Sequence, residues 1–161
     1  MYTPQGEIIV PLKPVTKPSF QHSKKGGGHW GKAGYKKFRK EVNEYLLKAT
    51  EDMDILYEPL DVEIMVSCKP PGSSKLPFPL GDVDNFSKSI LDVCTDVLWV
   101  DDWQIRTETI SKEWSPTGED YFTLRWNVVD EFKDFFYPVI QAYHKGFDIN
   151  TTKHVTDMDP S

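Results

Sequence analysis

Gly81 to Ile105 reads GDVDNFSKSILDVCTDVLWVDDWQI. Six aspartates and one lysine are set among apolar residues. Phe86, Ile90, Leu91, Val93 and Cys94 recur at spacings of three and four, which predicts an amphipathic helix running to about Val97. Asp82 or Asp84 is placed to cap its start. The following LWVDDWQI, continuing into RTETISKEW, predicts a strand entered after a tight turn. Helix then strand, each with one apolar face, is the beginning of a helix-on-sheet layer.

Outward from there the pattern repeats. Residues 60–68, LDVEIMVSC, alternate Leu60, Val62, Ile64, Val66 and Cys68 against Asp61, Glu63, Met65 and Ser67, a strand with one mostly wet face. Upstream, YKKFRKEVNEYLLKAT (35–50) places Tyr35, Phe38, Val42, Tyr45 and Leu46 on one helical stripe. Residues 7–12, EIIVPL, form a short strand. Between these two, residues 15–34 hold Pro18 and five glycines, which predicts a lysine-rich loop. KPPGSSKLPFPLG (69–81), with four prolines, cannot be a central strand. YFTLRWNVV from Tyr121 is a last strand, and SPTGED before it carries hairpin chemistry. DEFKDFFYPVIQAYHKGF predicts a short helix broken at Pro138, and 149–161 a polar disordered tail.

The expected fold is therefore α/β (α+β), a single domain of order β-α-β-α-β-β. It has a mixed sheet, helices packed on it and a short C-terminal helical extension. The domain is expected over 1–148, with its core at about 7–128 and the extension at 130–148. At 161 residues and 39% hydrophobic, the chain has the composition of one domain with a real core. No apolar run reaches the eighteen or so residues of a membrane span, and MYTPQGEIIVPLKP has no secretory pattern. Cys68 and Cys94 match no zinc spacing and suit a reducing, cytoplasmic setting.

Charge is unevenly distributed. Lys13 to Lys48 holds ten Lys and Arg against two acids, or +8; the remaining nine cations and 23 acids give −14. Such segregation suits a basic surface for a polyanion beside an acidic centre. Lys17, Lys24, Lys25, Lys32, Lys36, Lys37 and Lys40 are the candidate DNA contacts, with Trp30 and Tyr35 placed either to stack on bases or to anchor the segment to the core.

The carboxylates have ordinary uses too. Asp-x-Asp is common in turns, Lys88 lies four residues from both Asp84 and Asp92, and Asp101-Asp102 suits a solvated turn. A sharper reading brings the turn before the helix and the segment after it to the same end of the layer. Three carboxylates would then converge, and a hard divalent cation such as Mg²⁺ would offset their repulsion. A lysine nearby adds positive charge toward a scissile phosphate.

GDVDNFSKSILDV followed by LWVDDWQI resembles the signature of RusA-type Holliday-junction resolvases: D-x-D-N-x-x-K at a helix start, an Asp one turn on, then an apolar run into D-D-x-x-V. The matching positions are Asp82, Asp84, Asn85, Lys88, Asp92, Asp101, Asp102 and Ile105, and the resemblance extends over about 7–128. It implies a homodimeric, Mg²⁺-dependent endodeoxyribonuclease, Mn²⁺ substituting, that acts on branched DNA in recombination and repair. The setting implied is a bacterial or phage-infected cytoplasm. Asp82, Asp84 and Asp102 then correspond to the catalytic, metal-binding acids and Lys88 to the essential lysine. Asp101 is a neighbour in the motif and Asp92 a structural partner.

The expected reaction is paired nicking of a four-way junction. The alternatives are a broader flap or fork nuclease, a non-catalytic DNA-binding module of the same fold, and an acidic metal-binding protein unrelated to DNA. Two features depart from the family pattern. FPLG stands before D-x-D where basic residues are usual, and about thirty residues follow Val129.

Overall fold

The computed structural model describes residues 5–18 and 28–132, together with Pro138, Val139 and Ala142. Four strands form one sheet: β1 (Gly6–Val10), β2 (Leu60–Cys68), β3 (Ile105–Trp114) and β4 (Tyr121–Val128). Their spatial order is β1-β4-β2-β3, with β2 parallel to β3 and antiparallel to β4, and β1 antiparallel to β4. Helices α1 (Gly28–Ala49) and α2 (Val83–Cys94) complete the element order β-α-β-α-β-β, and the sheet is mixed, as expected.

Strand alternation decides which face the helices cover. Leu60, Val62, Ile64 and Val66 of β2 are buried, as are Phe122, Leu124 and Trp126 of β4. They join Phe38, Val42 and Leu46 of α1 and Phe86, Ile90 and Val93 of α2 in one core. The alternate positions carry charge instead. Arg125 bridges Glu7 and Glu63 at 2.6 and 3.1 Å, and Arg106 bridges Asp61 and Glu131, each at 2.8 Å.

Four expectations are corrected. SPTGED does not close a hairpin between adjacent strands, because β2 lies between β3 and β4. The connection instead passes the end of β2: Ser115 N–H donates to Cys68 O at 2.8 Å and Lys69 N–H to Asp120 Oδ1 at 2.7 Å. β2, with its unbroken row of buried aliphatics, belongs inside the sheet; β3, carrying Arg106, Glu108, Lys112 and Glu113, is suited to an edge. Second, α1 starts at Gly28, so the end of the expected loop over 15–34 is helical. Third, α2 stops at Cys94, and the LWVDD segment is a turn followed by a 3-10 turn at Asp102–Gln104, with β3 starting only at Ile105. Fourth, β1 ends at Val10, short of Pro11 and Leu12. Of the C-terminal extension, the described residues give a 3-10 turn at Asp130–Phe132 and a fully buried Ala142. The expected tail at 149–161 lies outside the described residues.

Candidate active site

Asp82 is the N-cap of α2 by position, with extended backbone, but its carboxylate makes no capping hydrogen bond. An Asp at this position ordinarily accepts from the first free amides of the helix. Asp84, in the first turn, is exposed and receives Lys88 Nζ at 3.3 Å across one helical turn. Gly81 precedes them at φ 104, where a Cβ would stand 2.9 Å from the Phe86 ring. Glycine there lets the chain turn sharply into the helix.

Asp102 lies elsewhere. Its Oδ1 accepts from Thr95 Oγ1 at 2.8 Å and from Trp99 Nε1 at 3.0 Å. Thr95 is the C-cap of α2 and Asp82 its N-cap. The 12 helical residues between these caps put about 20 Å along the axis between them. Within one chain the three acids therefore do not converge. Among the described residues no group of three or more His, Cys, Asp or Glu side chains is arranged to hold a metal ion. The expected return of both segments to one end of the layer fails because α2 separates them by its whole length.

Burial raises the Asp102 carboxyl above the usual carboxylate range, the bonds from Trp99 and Thr95 act against this, and the nearby charges of Asp101 and Asp92 raise it further. Its position depends on a local device absent from the expectations. Asp101 caps the 3-10 turn in a capping box whose other half is Gln104. Gln104 is almost fully buried, accepts from the amides of Val100 and Asp101 at 2.7 and 2.9 Å, and donates to Leu56 O and Glu58 O at 2.9 and 3.0 Å. The spacing Asp101-x-x-Gln104 is the sequence signal that marks this turn. It gives Asp101 a structural job beside Asp102.

Asp92 holds α2 to two other segments. Its Oδ2 accepts Lys17 Nζ at 2.6 Å and Tyr35 Oη at 2.9 Å. Burial and the Asp92 bond push the Tyr35 hydroxyl up to about 12. The Tyr35 ring packs against the core, and the Arg39 guanidinium lies 5.8 Å from its centroid. Tyr35 is thus an anchor of α1, and Lys17 a brace, with its own N–H donating to Asn85 O at 3.0 Å. Lys32, Lys36 and Lys40 recur every four residues on α1 and form one exposed row, with Lys37 alongside and within 3.8 Å of Glu41. Lys24, Lys25 and the Trp30 side chain lie outside the described residues.

The family model for endodeoxyribonuclease RusA matches residues 11–119. The chain belongs to the RusA family. The matched span contains Asp82, Asp84, Lys88, Asp92, Asp101 and Asp102, and the whole of α1. RusA membership places these carboxylates in a DNA-cleaving enzyme family, and the exposed basic row of α1 suits such a substrate. No curated protein is similar enough to this chain to add a relative.

Proposed function

We propose that the chain is a Mg²⁺-dependent Holliday-junction resolvase acting as a homodimer. The observation that carries this is Asp82: a carboxylate at a helix N-cap that makes no cap bond, two residues from a second exposed carboxylate. Two such groups, with oxygens not committed to the backbone, suit a hard cation that takes one or two carboxylates and keeps several waters. Mg²⁺ bound there would supply an acidified water and charge stabilisation for phosphodiester hydrolysis.

The remaining roles fall to the chain's own groups. Lys88, held against Asp84, offers its ammonium to the scissile phosphate or the departing oxygen. Asp82 and Asp84 repel phosphate without the cation, so their contribution is expected in cleavage and not in binding. Lys32, Lys36, Lys37 and Lys40 hold the duplex arms by phosphate contact. Asp102, with both its hydrogen bonds on Oδ1, has Oδ2 left for a cation. Because it stands a helix length from Asp82, a three-acid centre would need Asp102 from a second copy.

The test is a gel comparing four-way, three-way, flap and linear DNA with Mg²⁺, Mn²⁺ or excess EDTA. Paired nicks in the four-way substrate alone, lost in EDTA and in Asp82→Asn, are the expected result. Preference for flaps would replace the resolvase reading with the broader nuclease, and full activity in EDTA would remove the metal.

A further inference from the structure

The segment joining β2 to α2, KPPGSSKLPFPLG (69–81), is uncharged except for Lys69 and Lys75. Its four prolines fix φ and limit how far the chain can fold back over its own apolar side chains. Leu76, Phe78 and Leu80 remain exposed, Leu80 at 77%. The backbone is nonetheless pinned to β3. Trp114 Nε1 donates to Leu76 O at 2.7 Å and Lys112 Nζ to Gly81 O at 2.6 Å. Lys112 Nζ also lies 5.1 Å from the centroid of the Phe78 ring. Single exposed apolar residues are ordinary, but three within five positions on a pinned loop call for a partner.

Beside this loop opens a cleft of about 510 Å³, with Trp114, Leu80 and Pro79 in its walls and Lys13, Lys69 and Asp120 among its lining residues. That volume is in the range of small-ligand sites. Its walls suit a flat group with an apolar face, its lysines suit phosphate, and its carboxylate can accept from an amino group. A nucleotide whose base has left the stack offers all three. Leu80, which lines the cleft, precedes Asp82 by two residues, so the chain leads from the cleft wall directly to the acids proposed to engage the scissile phosphate.

We propose that this cleft receives an unstacked base of the branched substrate, next to the phosphate served by Asp82 and Asp84. Leu76 and Phe78 form an apolar lip that fills the gap in the stack, as inserted side chains do in kinked DNA. This rests on the nuclease reading and deepens it: the loop becomes the element that distinguishes a branch point from a continuous duplex. Where basic residues usual in the family would grip phosphate, this chain presents Pro79 and Leu80 to a base and Phe78 to the gap it leaves.

The experiment uses the full chain in Ca²⁺ and four-way junctions carrying 2-aminopurine at each nucleotide flanking the cleavage site. Wild-type protein is compared with Leu80→Ser and with Phe78→Ser/Leu80→Ser, with circular dichroism confirming the fold. Wild type should raise the fluorescence at one flanking position several-fold. The double variant should lose most of that rise and about ten-fold in junction affinity relative to linear duplex. If the double variant does not fold, Leu80→Ser, altered at a highly exposed side chain, is decisive in the same direction.

An undiminished fluorescence rise in the folded variant overturns the proposal. So does a loss of dimer mass by light scattering, which would make the loop an interface between copies. If wild-type protein neither binds nor cuts any branched DNA, the nuclease reading itself fails, a result distinct from either.

Discussion

Asp102 carries a carboxylate whose burial works against folding. A carboxyl with a folded pKa above its unfolded one binds more protons in the native state between the two values. In protein freed of divalent ions, its contribution to stability therefore falls as pH rises through that interval, and the full penalty is present above the folded pKa. Asn at this position does not titrate, yet its Oδ1 can accept the same bonds from Thr95 and Trp99. Asp102→Asn in EDTA is expected to melt no lower than wild type at pH 7, with the difference vanishing in acid below the unfolded carboxyl pKa. If Asp102 is a metal ligand, as proposed, the variant should nevertheless cleave at least about 10-fold more slowly, since losing a ligand costs no less than losing an outer-shell partner. Thermal melts at pH 7 and pH 3 beside a cleavage assay check both halves. A large destabilisation at pH 7 with cutting intact would make Asp102 a structural residue only. The thiol of Cys94, by contrast, is fully buried and pushed well above its ordinary value by desolvation, which makes it part of the core and not of the chemistry.

Helix α2 is the element that carries most of the candidate site, and two residues of similar spacing on it are expected to do different work. Lys88 meets Asp84 with both side chains more than half exposed, and such a pair contributes only about 0.3–0.5 kcal/mol. Asp92, one turn on, bonds Lys17 and Tyr35 in a half-buried setting. Removing it leaves two donors without their acceptor, at a cost of about 1–3 kcal/mol. Lys88→Ala should therefore keep its urea midpoint and lose cleavage. Asp92→Ala should lower the midpoint and still cleave below its transition. Urea titrations with cleavage assayed in the absence of denaturant test the pair. The reverse pattern would exchange their roles.

For the whole molecule, the distribution of charge and the separation of the acids make two further predictions. The row Lys32, Lys36 and Lys40 lies on the helix that Tyr35 ties to α2. Neutralising all three to Gln should reduce the log–log salt slope of junction binding by about 0.9 for each phosphate no longer neutralised. An unchanged slope would place the DNA surface elsewhere. If a second copy supplies Asp102, an Asp82→Asn chain and an Asp102→Asn chain, each inactive alone, share one intact centre when mixed. Mixing should then restore nicking of one strand, in a particle of twice 18.6 kDa by light scattering. No recovery in a mixture shown to form heterodimers would mean that each chain holds its own acids.

Much of this molecule is written in local periodicity. The alternation of 60–68 specifies β2 residue for residue, and Phe86, Ile90 and Val93 specify the face that α2 buries, because period two and period 3.6 are properties of the chain alone. The residues of the D-x-D-N-x-x-K signature are equally legible, and the match over 11–119 agrees with them. What only the tertiary structure decided is where those residues stand. The turn chemistry of SPTGED predicts a reversal but not which strand lies across it; β2 enters between β3 and β4 because its buried aliphatics and backbone need partners on both sides. Nor does LWVDDWQI by itself reveal that Gln104 satisfies carbonyls at Leu56 and Glu58, 48 and 46 residues away. That long-range pairing stops an apolar run from becoming strand and sets Asp102 at the C-terminal end of α2. Spacing in sequence identified the acids, and the length of one rigid helix decided that a single chain does not bring all three together.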